Sequence, residues 1–193
     1  MPEPTRDQNA ATARARRTLL LIAAACVAPF VASYAIYYFY PRSAQANYGT
    51  LLPTGPAPQI VGTTADGAPF RLADLRGRWV LLAGGTAGCG ADCERTLYAT
   101  RQAHTMQGKE RDRVVRVWLD AGGDLPGPEV LAAHPGLVVA RVTAEALAAL
   151  PGATAGIWLI DPLGNLVLSY PADPDIKGLA KDLSRLLRAS GIG

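Results

Sequence analysis

An α/β domain with a mixed central sheet flanked by helices, preceded by one membrane-length helix, is the fold class that the sequence predicts. Three observations lead there. An uncharged run lies near the N-terminus, β-type and helical patterns alternate after it, and a cysteine pair sits between the first strong strand and the first strong helix. Of the 193 residues, 49% are apolar and only 18% charged, a large apolar share for a wholly soluble chain. The length suits one domain of about 130–150 residues plus an anchor and a tether. The net charge of +3 is small and scattered, with no basic stripe interleaved with aromatics, which sets nucleic-acid binding aside.

Residues 18–40 carry no charge over 23 positions. At about 1.5 Å per residue they span about 34 Å, enough for a hydrocarbon core of about 30 Å. Arg6, Arg14, Arg16 and Arg17 precede the run, and only Arg42 follows it before Arg71. This asymmetry predicts a cytoplasmic tail over 1–17, a transmembrane helix over 18–40 and the remainder outside the cytoplasm. Tyr34, Tyr37, Tyr38 and Tyr40 crowd the outer end as an interfacial belt, and Pro29 marks a place for a kink. Ala44-Gln45-Ala46 has the small-residue pattern of a secretory cleavage site. The apolar run, however, exceeds the roughly 7–15 residues of a signal core, so an uncleaved anchor is the stronger reading. Cys26 follows three alanines in the manner of a lipoprotein site, but Val27, Phe30 and Val31 after it favour a membrane-buried cysteine.

Residues 41–58 hold Pro41, Pro53, Pro56 and Pro58 without helical period and read as a tether. The folded domain is expected over 59–193. Ala68–Leu72 reads as a short strand or hairpin arm, followed by a turn over Ala73–Gly77. Trp79–Ala83 is a continuous apolar run, as expected of a buried central strand. A helix over about Asp92–Met106 follows, then a strand over Val114–Leu119 and a helix opening at Pro128 and running to Ala133. Leu137–Val142 and Ala144–Leu150 read as a short strand and a short helix. Ile157–Ile160 and Leu166–Tyr170 flank Asp161-Pro162-Leu163-Gly164-Asn165 and form a hairpin. The terminal helix spans about Asp175–Arg188, with Ile176, Leu179, Leu183, Leu186 and Leu187 as its apolar stripe. A β-α-β unit followed by a hairpin and a last helix is the thioredoxin-like arrangement.

Two of the three cysteines fall in Cys89-Gly90-Ala91-Asp92-Cys93. A structural disulfide is possible, since residues four apart on a helix lie about 6 Å apart. Closing so small a loop contributes little entropic stability, however. A helix start after a buried strand favours thiolate, the species that attacks disulfides and ligates soft metals. The pair is therefore read as functional, with Cys89 as nucleophile and Cys93 as resolving thiol. Asp92 opposes thiolate formation if its carboxylate turns inward. A closed zinc site lacks a second pair of ligands.

Phe70-Arg71-Leu72-Ala73-Asp74-Leu75-Arg76-Gly77-Arg78-Trp79-Val80-Leu81-Leu82, the C-x-x-x-C of Cys89 and Cys93, and Ile157–Gly164 together resemble the Sco/SenC family. These are thioredoxin-like proteins that help assemble the copper centre of cytochrome c oxidase. The resemblance covers about Pro58–Leu187 and implies a domain anchored in a bacterial-type inner membrane and facing the periplasm. It implies an oxidase subunit or another assembly factor as partner.

There are departures from the family pattern. Gly90 and Glu94 stand where the family carries Pro after each cysteine. The family's copper-binding His would fall near Ala153 or Thr154, and neither position is His. His104, 11 residues past Cys93, is about 16 Å away along a continuous helix. His134 reads as a partly exposed helix-end residue and Met106 as core. A cis-Pro before the hairpin strand is lacking, Pro151 lying too early. No cofactor is certain. The expected function is thiol–disulfide exchange on the oxidase through Cys89 and Cys93. A Cu(I) carrier using the same two thiolates, or a non-catalytic docking module, is the alternative.

Overall fold

The structure, a computed structural model, describes residues 6–39, 47–152 and 155–192. It divides into two units, Met1–Ala44 and Gln45–Gly193.

The first unit is one helix, α1 (Arg6–Phe39), which continues through Pro29. Within it Arg14–Ile36 is long and apolar enough to cross a membrane. The helix begins well before the uncharged run because Ala and Arg, abundant in residues 10–17, are strong helix formers. Tyr34 and Tyr38, four apart, stack at 5.6 Å between ring centroids. Cys26 is a free, exposed cysteine on this helix. Tyr40 and Ala44-Gln45-Ala46 lie outside the described residues.

The second unit carries eight strands and four helices among its described residues. In chain order they are β1 (Thr50–Pro56), β2 (Val61–Thr64), β3 (Pro69–Arg71), β4 (Trp79–Gly85), α2 (Ala91–Thr105), β5 (Val114–Asp120), α3 (Pro128–Ala133), β6 (Leu137–Arg141), α4 (Ala144–Ala148), β7 (Gly156–Ile160), β8 (Asn165–Tyr170) and α5 (Ile176–Ala189). The strands form one mixed sheet in the order β1-β8-β7-β4-β5-β6-β2-β3. β4, β5 and β6 run parallel, and β7 pairs antiparallel with β4.

The central strands are apolar on both faces because both faces are covered. Trp79, Leu81 and Ala83 of β4, Trp118 of β5 and Leu159 of β7 pack against Leu97 of α2 and Leu179 and Leu183 of α5. Val80, Leu82, Val117, Leu119, Trp158 and Ile160 point the other way, onto Ile60, Phe70, Leu72 and Leu147. Burying each Leu, Val or Ile contributes about 1.5–3 kcal/mol. β4, β5, β6, β7, α2, α3, α4 and α5 all fall where the sequence pattern places them, within a few residues.

Of the tether expected over 41–58, residues 41–46 lie outside the described residues and the stretch over 50–56 requires correction. Residues 50–56 form β1, an edge strand antiparallel to β8, with an irregularity between Leu51 and Gly55. The prolines that argue against a strand are tolerated there, because an edge strand has N–H groups that need no ladder partner. β2, not foreseen as a separate strand, pairs antiparallel with both β3 and β6. Its Gly62 lies against the backbone of Arg141, leaving no room for a Cβ.

The segment entering β1 is fixed to α5 through a buried carboxylate. Gly49 N–H donates to Asp182 Oδ2 at 2.8 Å, and Tyr170 Oη lies 3.4 Å from the same oxygen. Tyr48 stacks on Tyr170, and its hydroxyl accepts from Asp175 N–H at 2.8 Å. Asp182→Ala is expected to lower stability by about 1–3 kcal/mol, the cost of stranding a buried donor. Urea unfolding measures this, and limited proteolysis should show faster cutting around residues 47–50 in the variant.

Candidate functional site at the Cys89–Cys93 pair

β4 ends in Gly84-Gly85 and passes into a tight loop before α2 opens at Ala91. Gly90 occupies the helix cap without a side-chain hydrogen bond, so the free N–H groups of the first turn are not taken by a capping oxygen. Cys89 lies just before that cap and Cys93 is the third helical residue. The two are joined as a disulfide, with Cα atoms 4.9 Å apart. Cys89 is half-buried and Cys93 is sealed in the core at 4% exposure. The expected division into an accessible and an inner sulfur is therefore present.

The helix is amphipathic for the right reason. Cys93, Thr96, Leu97, Thr100 and Ala103 recur at three- and four-residue spacing on its buried face. The Thr96 hydroxyl also bonds the Ala172 carbonyl at 2.6 Å, tying the cysteine end of α2 to the segment before α5. Asp92 turns outward, 87% exposed and paired with Arg95, so its carboxylate does not face the sulfurs.

Opposite the cysteines stands the loop after β5. Cys89 N–H donates to the Asp124 carbonyl at 3.2 Å. Gly88 adopts φ +72°, a region L side chains rarely enter. Gly123 abuts the backbone of Gly88 so closely that a Cβ would collide with it. Thr86, Gly88, Cys89, Gly90, Gly122 and Asp124 line the shallow, open depression that results. Beneath this loop Asp120, the last residue of β5, is fully buried with neither carboxylate oxygen hydrogen-bonded. Arg141 Nε lies 3.9 Å from its Oδ2.

This second loop escaped the sequence reading. The signal for it is Asp120-Ala121-Gly122-Gly123-Asp124 at the C-terminal end of a parallel strand, where sites in α/β sheets gather.

The other candidate ligands do not converge on the pair. His104 is at the far end of α2, its Nε2 2.9 Å from the Arg111 carbonyl and 3.1 Å from that of Val114. His134 caps α3 and is buried at 7% exposure, with Nδ1 unpartnered. The expected partly exposed residue is corrected here. Arg101 of α2 and Arg116 of β5 bond the carbonyls of Ala133 and Pro135 on either side of it and tie the turn to that helix and to the sheet. Met106 is 57% exposed rather than core, because it falls after the last turn of α2. Ala153 and Thr154 lie outside the described residues. Among the described residues no peptide is cis. The Pro151 carbonyl accepts from Trp158 Nε1 at 2.9 Å. No group of three His, Cys, Asp or Glu that could hold a metal ion occurs among the described residues.

A thioredoxin-like sheet that presents a two-cysteine loop at a helix start defines the class. The chain belongs to the family described as transmembrane-like, thioredoxin-like, C-terminal domain, whose model matches residues 79–190. Solved structures share the fold. Apo Sco1 from Thermus thermophilus is 24% identical with a TM-score of 0.55, covering 76% of this chain and 98% of that one. Arabidopsis thaliana ScoI with copper bound is 18% identical with a TM-score of 0.55, covering 70% and 100%. A thiol:disulfide interchange protein from Bacteroides is 16% identical with a TM-score of 0.53, covering 73% and 93%. The Sco structures thus share the fold implied by the resemblance read from Phe70–Leu82, the cysteine pair and Ile157–Gly164. No curated protein matches the sequence.

Both histidines are held below the ordinary imidazole range. Burial is the larger cause, and the Arg116 charge adds to it for His104, those of Arg101 and Arg116 for His134. A histidine kept neutral by the fold favours the folded state fully above the unfolded pKa of about 6.5. That contribution falls as the unfolded chain takes up its proton first. Stability should therefore drop as pH is lowered from 7 through 6.5, and the drop should be smaller in His134→Gln. Urea midpoints across that range measure both.

Proposed function

We propose that this chain is a membrane-anchored assembly factor for respiratory cytochrome c oxidase that acts by thiol–disulfide exchange through Cys89 and Cys93. The observation that carries the reading is the division of the pair. Cys89 is accessible in an open, glycine-lined depression, and Cys93 is sealed one turn inside α2. The fold shared with Sco proteins and with a thiol:disulfide interchange protein supports it. The proposed placement has the N-terminus in the cytoplasm, α1 in the inner membrane and the domain in the periplasm, following the arginines before the apolar run. The partner is an oxidase subunit with copper-ligand cysteines, or another assembly factor.

In the reduced form the Cys89 thiolate attacks one sulfur of a partner disulfide. A Cys89–partner bond forms, the partner S–S bond breaks and its second sulfur leaves as thiolate. The Cys93 thiolate then attacks Cys89, the mixed disulfide breaks and the partner is released as a dithiol. Two electrons pass to the partner, leaving the Cys89–Cys93 disulfide to be reduced again by an external dithiol.

Cys93→Ser should trap the mixed disulfide, visible as a higher band on non-reducing gels that Cys89→Ser lacks. In intact cells, a maleimide that cannot cross the membrane should label Cys89 after reduction. The potential of the pair should lie above about −300 mV, the range of structural bridges. A pair inert to both reagents would return it to a structural role.

The second reading makes Cu(I) the cargo, and the copper-bound state of the Arabidopsis neighbour favours it. Two thiolates suit this soft ion, whereas Cu(II) prefers a tetragonal set that includes nitrogen. His104 is anchored to the carbonyls of Arg111 and Val114, and neither histidine belongs to a metal-holding cluster among the described residues. The reduced protein is expected to bind at most one Cu(I) and to form no stable Cu(II)–thiolate complex. Ala153→His or Thr154→His should create one, followed by its charge-transfer absorption. A strong wild-type band that vanishes in His134→Ala would make copper transfer the leading function.

A further inference from the structure

Asp120 has no role in the exchange chemistry above, and its surroundings are unusual. It is completely buried, yet neither oxygen has a hydrogen-bond partner. A buried carboxyl that takes no well-formed hydrogen bond, with Arg141 Nε 3.9 Å from its Oδ2, is costly and persists where the surrounding fold imposes it. β5 places it level with Gly85 of β4 on one side and Arg141 of β6 on the other. Gly85 presents no side chain to it. The chain then turns through Gly122, at φ +132°, and Gly123. Gly123 presses on Gly88, and the Asp124 carbonyl accepts the Cys89 N–H. Asp120 thus stands at the root of the only segment seen to hydrogen-bond the Cys89 backbone among the described residues.

We infer that Asp120 is a positioning residue for the dithiol, fixing the Gly122–Asp124 turn against the Cys89 loop so that its protonation state sets the reactivity of Cys89. The inference rests on the reading of the pair as redox-active. The ionised carboxylate attracts the N–H groups of Gly122 and Gly123 and draws the turn inward. The neutral acid attracts them less, leaving the Asp124 carbonyl and the Cys89 N–H it holds less constrained. Burial raises the proton affinity of Asp120 above the usual carboxylate range, the N–H of Gly123 and the Arg141 guanidinium lower it, and Asp124 raises it again. The charged groups acting on it are therefore Arg141 from β6 and Asp124 from the following loop. A switch in this position responds to acidification of the compartment that the domain faces.

The test is the rate of Cys89 alkylation against pH in the reduced full-length protein, with the reduction potential followed in parallel. Wild type should show two steps, one for the Cys89 thiol and one for Asp120. Asp120→Asn should keep a reversible disulfide and retain only the thiol step. Because a core substitution can impair folding, Arg141→Gln is the second variant. Arg141 is 59% exposed in its side chain, and loss of its charge should move the Asp120 step upward by about half a pH unit. A single step in wild type, or an unmoved step in Arg141→Gln, overturns the inference while leaving the exchange function intact. A wild-type disulfide that cannot be reduced and re-formed overturns both.

Discussion

β4 is the strand on which the remainder of the second unit is assembled. It pairs parallel with β5 over seven residues and antiparallel with β7 over five, and Trp79, Val80, Leu81, Leu82 and Ala83 alternate into both cores. A strand flanked and covered in this way can scarcely shift, because a one-residue slip would exchange its two faces. That rigidity reaches the cysteines through only a few residues, Gly84 to Gly88. The glycines let the chain leave the sheet sharply, and the immobile strand decides where the loop begins.

The same geometry explains why the site is built from two loops. Parallel β4 and β5 end at one edge, so the segments after Gly85 and after Asp120 emerge side by side. Gly88 and Gly123 then meet backbone to backbone. Either loop alone would be a mobile turn; together they restrict each other, with one hydrogen bond from Cys89 to Asp124 between them. An open depression around the accessible sulfur follows, one that another polypeptide can approach without displacing bulky side chains.

Much of this was legible in the residues. The buried strands announce themselves as continuous apolar runs and α5 as a Leu stripe, because burial on two faces or one leaves different periods. The cysteine pair was legible from its place between strand and helix. β1 was not, since Pro53 and Pro56 conflict with strand propensity and only the β8 edge makes them acceptable. Asp120 was not, because a carboxylate in sequence reads as surface, and only the packing of two distant loops buries it. His134 was misread for a related reason: Arg101 of α2 and Arg116 of β5, both distant from it in the chain, tie its turn to that helix and to the sheet.

The prolines of β1 have a consequence for how copies of this chain can meet. An outer strand with a full row of N–H donors invites a second molecule to add its own strand. Pro53 and Pro56 leave β1 two N–H donors short, and the irregularity between Leu51 and Gly55 interrupts its spacing. At the opposite margin β3 offers only three residues before the chain turns into a short 3₁₀ segment at Leu72. Neither margin is a template for sheet extension, so neighbouring copies can crowd together without polymerising through their sheets.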